Sequence, residues 1–304
     1  MKLKTKNLLT LGELSKKEFS QIIDFSIKLK TELQKTGNKP LLKNKTLTMI
    51  FQKPSTRTRV SFEIGMFQLG GNAVNLSSDD MQLSRGESIE DTAKTLSRYT
   101  NCIMARVYDH GLLEKLSKYA TVPVINGLSD SFHPCQILAD FMTIKEKKRK
   151  LKGLKIAWIG DGNNVCNSMI YGCGLAEMKM SIATPKGFEP NKDVVKEART
   201  LTDIEITTDP IKAVKDADVV VTDTFTSIHN RDPKRTKKFL PKYQVNSDLM
   251  NKAKKDAIFL HCLPAKRGEE VTSSVIDGPQ SVVWDEAENR LHTQKALLVF
   301  LINA

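Results

Sequence analysis

Short apolar runs alternate with longer stretches whose apolar residues recur every three or four positions, nearly from one end of the chain to the other. The runs Thr46–Phe51, Asn72–Leu76, Cys102–Val107 and Val122–Asn126 have the length and composition of strands. A second series follows at Lys155–Ile159, Met180–Thr184, Ile204–Thr208, Asp218–Thr222 and Ala257–His261. Between them lie helical patterns. The first has Ser15 and Glu18 in capping-box spacing, followed by Phe19, Ile22, Ile23 and Ile27 on one face. Strand–helix alternation of this kind predicts an α/β protein with parallel sheets covered by helices. The basic stretch Lys145–Lys152 and Gly153 separate the two series, which predicts two doubly wound parallel-sheet domains, 1–150 and 151–286. A Leu- and Ala-rich helix over 287–304 is expected to return to the first. Between Asp223 and Tyr243 the chain is polar and rich in Lys, Arg and Pro. This is too long for an ordinary connection, so it reads as a lid, or in the plainer alternative as a surface excursion.

Composition narrows the function classes. A chain of 304 residues with 40% hydrophobic content can build two buried cores. No apolar run approaches the roughly 20 residues needed to span a bilayer, so no membrane partner is expected. The start, MKLKTKNLLTLGELSKKEF, has no apolar signal core, and a cytoplasmic location is expected. The net charge of +12 raises the question of nucleic acid, but the lysines are spread over many helices and only 145–152 is a cluster. No nucleic-acid partner is expected, and a basic cleft for a phosphorylated anion fits better. Cys102, Cys135, Cys166, Cys173 and Cys262 are odd in number and lack paired C-x-x-C spacing, which reads as reduced thiols and no metal site.

Candidate chemistry begins at Lys53-Pro54-Ser55-Thr56-Arg57-Thr58-Arg59, which follows a strand and opens a helix. Free backbone N–H groups, hydroxyls and a guanidinium presented together are what a phosphate requires. Capping alone would explain Pro54 and Ser55. It would not explain two arginines in a first turn, where cations oppose the helix dipole. Arg57 is expected to face the anion, and Arg59 to pair with Glu63 or Glu87.

That segment continues into Val60-Ser61-Phe62-Glu63. Together with His133-Pro134-Cys135-Gln136 and His261-Cys262-Leu263-Pro264, it resembles the aspartate/ornithine carbamoyltransferase family in motif order and spacing. Gly160-Asp161-Gly162-Asn163-Asn164, Tyr243-Gln244-Val245-Asn246 and Asp285-Glu286-Ala287-Glu288-Asn289-Arg290 resemble its ornithine branch, so the likeness runs along essentially the whole chain. It implies a carbamoyl-phosphate domain and an amino-acid domain joined by helices, assembled as homotrimers with sites at subunit boundaries. The implied substrates are carbamoyl phosphate and L-ornithine, with no metal or organic cofactor.

Residue by residue, the resemblance assigns Ser55, Thr56, Arg57 and Thr58 to the phosphate, and Arg106 to phosphate and carbonyl oxygen. It assigns His133 to the carbonyl oxygen and Gln136 to the carbamoyl amine. Cys262 and Leu263 would hold that amine through their backbone, and Arg290 would close the anion pocket. Gln82 lies in the loop that crosses to a neighbouring site. Asn164, Asp223, Ser227 and Ile228 fall on the ornithine positions, with Asp223 the anion for the α-ammonium and Cys262 orienting the attacking amine. The other four cysteines read as packing residues.

Two departures bear on the acceptor. Ile228 and His229 stand where the family has methionine and glycine, and histidine does not take up glycine's left-handed conformations without strain. Putrescine, an N-acylated ornithine and aspartate are therefore alternative acceptors. A different class also competes: Gly160-Asp161-Gly162 after a strand partly imitates a dinucleotide-binding turn, although the third glycine is missing and Thr184-Pro185-Lys186 stands where an acidic residue would end the next strand. A binding protein without turnover is the third reading.

Overall fold

The computed structural model describes residues 3–226 and 233–303. The chain divides into two compact units, residues 1–142 with 288–304, and residues 143–287. In chain order the first unit runs α1 (Lys16–Lys35), β1 (Thr46–Phe51), α2 (Thr56–Gln68), β2 (Asn72–Ser77), α3 (Ile89–Tyr99), β3 (Cys102–Arg106), α4 (His110–Tyr119) and β4 (Val124–Leu128), then enters α5 (Pro134–Lys148). The second continues with β5 (Lys155–Ile159), α6 (Asn164–Ala176), β6 (Lys179–Ala183), α7 (Lys192–Ala198), β7 (Ile204–Thr207), α8 (Pro210–Val214) and β8 (Val219–Thr222). It then runs through α9 (Thr236–Phe239), α10 (Ser247–Met250), β9 (Ile258–Leu260) and α11 (Ser273–Ile276) into α12 (Val283–Ile302). The unit boundaries fall inside α5 and α12, and the last residues of α12 belong to the first unit.

Both sheets are parallel, ordered β2-β1-β3-β4 and β7-β6-β5-β8-β9. In each, an early strand (β1, β5) lies inside and the chain winds outward both ways. The C-terminal ends of such strands, where the winding reverses, are where ligands of open α/β sheets bind. The inner strands are apolar on both faces, as sheets covered on both sides require: β3 is buried up to its last residue and β1 after its first. Ile50, Ile103, Ala105, Leu113 and Val124 anchor the first core, and Ile159, Val220, Phe239, Phe259 and Val283 the second.

The first helix begins as its sequence predicts. Ser15 accepts from the Glu18 N–H, while Glu18 Oε2 takes the Ser15 N–H at 2.9 Å. Strand β4 sits two residues later than the pattern suggests, because Gly127 lies within it. A Cβ there would meet Met104 Sδ at 2.4 Å, so the glycine makes room for the neighbouring strand. The terminal helix starts at Val283, before the Asp285-Glu286 pair that occupies its first turn. No helix among the described residues is long and apolar enough to cross a membrane.

Candidate active site

In the first unit, chemistry gathers at the C-terminal ends of β1 and β3 and the starts of α2 and α5. Ser55 caps α2, its side chain accepting from the Thr58 N–H at 3.4 Å. That fixes the first turn with Thr56 and Arg57 exposed and Thr58 buried. Arg59 pairs with Glu63 at 2.9 Å, one turn along, and so settles the expected choice in favour of Glu63. Arg106 ends β3 at an irregularity in its pairing with β4.

Arg290, 3% exposed on α12, ties this cluster together. Its Nη1 donates to Gln136 Oε1 at 2.7 Å and its Nη2 to Thr58 Oγ1 at 3.3 Å, while Gln136 Nε2 donates to Asp140 at 2.8 Å. Charge-assisted bonds of this kind contribute about 1.5–3 kcal/mol each. They connect the starts of α2 and α5 through one guanidinium. His133 is buried beside them. Burial first, then the positive charges of Arg290, Arg106 and Arg57, hold its imidazole well below the usual histidine range. A neutral imidazole carries one N–H, which suits it to donate to a carbonyl oxygen without supplying a formal charge. Gln82 lies exposed on a short helical turn between β2 and α3.

In the second unit, the site forms where β5, β8 and β9 end. Asp223, 8% exposed, accepts from Asn163 Nδ2 at 2.7 Å and from the Cys262 thiol at 3.3 Å. Asn163 also caps α6, its Oδ1 taking the N–H groups of Val165 and Cys166 at 3.0 and 3.1 Å. The amide therefore locks the Asp223 carboxylate to the helix start. Asn164, the residue expected to touch the acceptor, is the first residue of α6 and is itself buried.

The stretch from His261 to Leu263 is held from below. His261 Nδ1 accepts the Leu263 N–H at 2.9 Å, so the imidazole proton sits on Nε2, which faces Glu270 Oε1 at 3.1 Å. Glu270 also takes the Lys266 N–H at 2.6 Å, and the His261 N–H reaches Glu286 at 2.9 Å. Both His261 and Glu270 are fully buried. This pair holds Leu263 in a left-handed conformation, φ 55°, which a branched residue enters at a cost of about 1–3 kcal/mol. Asp223, His261 and Cys262 place one ligand atom each within 4.8 Å of one another. Both imidazole nitrogens are, however, committed to protein partners, which does not favour a metal there.

The remaining cysteines behave as packing residues. Cys102, Cys135, Cys166 and Cys173 are buried, and burial pushes their thiols up, Cys135 to about 11. Cys262 alone is partly exposed.

Comparison with known proteins decides the family. Residues 6–146 match the model of the aspartate/ornithine carbamoyltransferase carbamoyl-P binding domain, and residues 152–301 match that of the Asp/Orn binding domain. The chain belongs to the aspartate/ornithine carbamoyltransferase family. It is 60% identical over 301 residues to the ornithine carbamoyltransferase of Cenarchaeum symbiosum, covering 99% of both chains. Its fold is similar to the Pyrococcus furiosus ornithine carbamoyltransferase structure, with TM-score 0.94 and 52% identity over 98% of this chain and 97% of that one. The Thermus thermophilus enzyme of the same name follows, with TM-score 0.90 and 42% identity over 98% and 99%.

Within this aspartate/ornithine carbamoyltransferase chain, the glycine turn after β5 has a packing explanation. A Cβ on Gly162 would lie 2.2 Å from Pro190 N and 2.7 Å from Phe188 O. The chain's own 188–190 backbone takes the close approach that a dinucleotide pyrophosphate would need, which removes the dehydrogenase reading's main support. Ser227 and Ile228, expected at the ornithine site, and His229 lie outside the described residues. Sequence reasoning missed Asn163 and Glu270. A cap signal marked Asn163, but nothing local marks Glu270, which meets His261 only through the fold.

Proposed function

We propose that this protein transfers the carbamoyl group of carbamoyl phosphate to the δ-amine of L-ornithine, giving L-citrulline and phosphate. The observation that carries the reading is the first unit's cluster, in which the charges of Arg57, Arg106 and Arg290 act on a buried His133 and hold it neutral. Such a cluster matches an acyl phosphate, with a dianion for the guanidinium groups and a carbonyl oxygen for the imidazole N–H. Ser55, Thr56, Arg57 and Thr58 bind the phosphate, and Arg106 reaches phosphate and carbonyl oxygen. Gln136 and the Cys262–Leu263 backbone hold the carbamoyl amine, Arg290 closes the anion site, and Gln82 serves a neighbouring subunit. On this reading the first domain takes carbamoyl phosphate and the second takes ornithine through Asn164, Asp223, Ser227 and Ile228.

Carbamoyl phosphate binds first. The neutral δ-amine attacks the carbonyl carbon, and Arg106, His133 and Thr58 stabilise the oxyanion of the tetrahedral intermediate. That intermediate collapses as the carbon–oxygen bond to phosphate breaks, and the amine proton leaves on the departing phosphate as hydrogen phosphate. Acceleration comes from orientation and preorganised electrostatics, with no metal or cofactor.

Asp223 supports an acceptor that carries an ammonium besides its attacking amine, because its buried carboxylate, met by an amide and a thiol, suits such a charge; putrescine shares that ammonium but lacks ornithine's α-carboxylate. Neither N-acylornithine nor aspartate exploits Asp223 in the same way. The enzyme is a cytoplasmic homotrimer. The oligomer draws support from Val60, Ile64 and Phe67, 49, 43 and 78% exposed along one face of α2, with Val74 of β2 at 47%. Phosphate release with ornithine, putrescine, N-acetylornithine and aspartate tests the acceptor. Ornithine should be preferred by at least about 100-fold in kcat/KM, the discrimination expected when a buried charge is left unpaired. Preference for another amine overturns the assignment, and light scattering at the monomer or dimer mass overturns the assembly.

A further inference from the structure

Two turns supply the second unit's polar groups: the one after β5, with Asp161 and Asn163, and the one after β8, with Asp223 and Phe225. We propose that Arg235 is the positioning residue that sets the separation of these turns, and through it the acceptor's affinity. This rests on ornithine being the acceptor.

Arg235 ends a short helical turn, Pro233–Arg235, and its side chain turns back into the unit. Its Nη2 forms an ion pair with Asp161 Oδ2, both side chains being largely buried at 17% and 12% exposed. Its Nε donates to the Phe225 carbonyl at 2.9 Å. One guanidinium thus holds a side chain two residues before Asn163 and a backbone group two residues after Asp223. Asn163 donates to Asp223 at 2.7 Å, so the two turns are joined twice, once through the acceptor's own carboxylate and once through Arg235.

The surroundings fix the guanidinium. It lies over the Phe188 ring at 4.5 Å and the Phe239 ring at 5.7 Å. Phe239 stacks on Phe225 with centroids 4.5 Å apart and planes 8° from parallel. Asp161 is held from behind as well, its carbonyl accepting from Trp158 Nε1 at 2.9 Å. Lysine carries the charge but not the fork, so it cannot serve Asp161 and Phe225 together. Arg235 also answers the Asp161 carboxylate. That group is close enough to Asp223 for the two negative charges to act on each other. Burial already raises the Asp161 proton equilibrium and Arg235 opposes that rise; without the arginine the carboxylate, where ionised, would compete with Asp223 for an ammonium.

The test is steady-state kinetics of the full-length protein, varying ornithine and carbamoyl phosphate separately. Wild type must first form citrulline; failure there overturns the functional reading and leaves this inference without a reaction. With wild type active, Arg235→Met should raise the ornithine KM by about 30-fold, as expected for losing a partly buried charged hydrogen-bonding group. The carbamoyl phosphate KM should stay within about twofold, because its phosphate-binding groups are in the first unit and the Cys262–Leu263 backbone is held by His261 and Glu270 rather than by Arg235. Arg235→Lys should fall between, near tenfold. Adding Asp161→Asn to Arg235→Met should recover part of the loss, since it removes the orphaned carboxylate.

A purely structural role predicts lower thermal stability with the ornithine KM unchanged, and that outcome overturns the proposal. So does an equal rise in both KM values. Should Arg235→Met fail to fold, Arg235→Lys and Asp161→Asn carry the test: the ornithine KM must rise selectively in both, and no change in either overturns it.

Discussion

The two units solve opposite electrostatic problems with the same architecture. At the strand ends of the first, guanidinium charges act on a buried imidazole and hold it neutral, and Arg290 braces Thr58 and Gln136. At the strand ends of the second, the Asp223 carboxylate is met by neutral donors, the Asn163 amide and the Cys262 thiol, while the neighbouring Asp161 carboxylate is answered by Arg235. On the proposed reading the first takes an anion and the second a cation. A parallel sheet fixes where a site forms, and the side chains at its strand ends decide the charge it accepts.

This contrast can be broken from either side. The largest effect should come from Arg57→Ala, which removes a phosphate cation. kcat/KM for carbamoyl phosphate should fall about 1,000-fold, in the range for truncating a charged hydrogen-bonding partner. Retained affinity would place the anion elsewhere. Asp223→Asn should raise the ornithine KM about 100-fold and leave the carbamoyl phosphate KM within about twofold. Equal loss in both would dissolve the contrast. Cys262→Ala removes one neutral donor from Asp223 and should lower kcat/KM for ornithine about tenfold, the value of one such bond. No change would make the thiol a packing group.

The smallest expected effect is on acid stability. With His133 held well below its ordinary value, the unfolded chain takes up a proton before the native one as pH falls below about 6.5. More protons on the unfolded state means stability that declines with falling pH, by up to about 1.4 kcal/mol per pH unit for this group. His292, lowered to about 4 mainly by burial, acts in the same direction. His133→Asn should therefore flatten, without abolishing, the loss of stability between pH 6.5 and 5 in urea titrations. An unchanged slope would mean that the His133 imidazole is charged in the native state.

The halves also differ in how much of them could be read from sequence. The phosphate pocket is largely written in contiguous residues: Thr46–Phe51 forms β1 with the expected bounds, and Ser55 to Arg59 begin α2 directly after it. Strand–helix alternation is a local pattern, so nine strands could be placed within about two residues of their positions. The acceptor side depends on distant contacts. Glu270 meets His261, Arg235 meets Asp161, and Asn163 meets Asp223 only because β5, β8 and β9 end side by side. The polar segment read as a lid, or in the plainer alternative as a surface excursion, carries Phe225, Phe239 and Tyr243 into the core and forms the four-residue α9. Three aromatic residues scattered through lysines and arginines give no periodic signal, and a single helical turn is too short to show one.

The central claim, an acyl phosphate gripped at the start of α2 and an ammonium at Asp223, is tested most directly by a crystal structure with a stable phosphonate bisubstrate analogue of carbamoyl phosphate and ornithine. The phosphonate should lie within hydrogen-bonding distance of Ser55, Thr56, Arg57 and Thr58, with the α-ammonium against Asp223. A phosphonate bound away from that helix start, or an α-ammonium with no contact to Asp223, would contradict it.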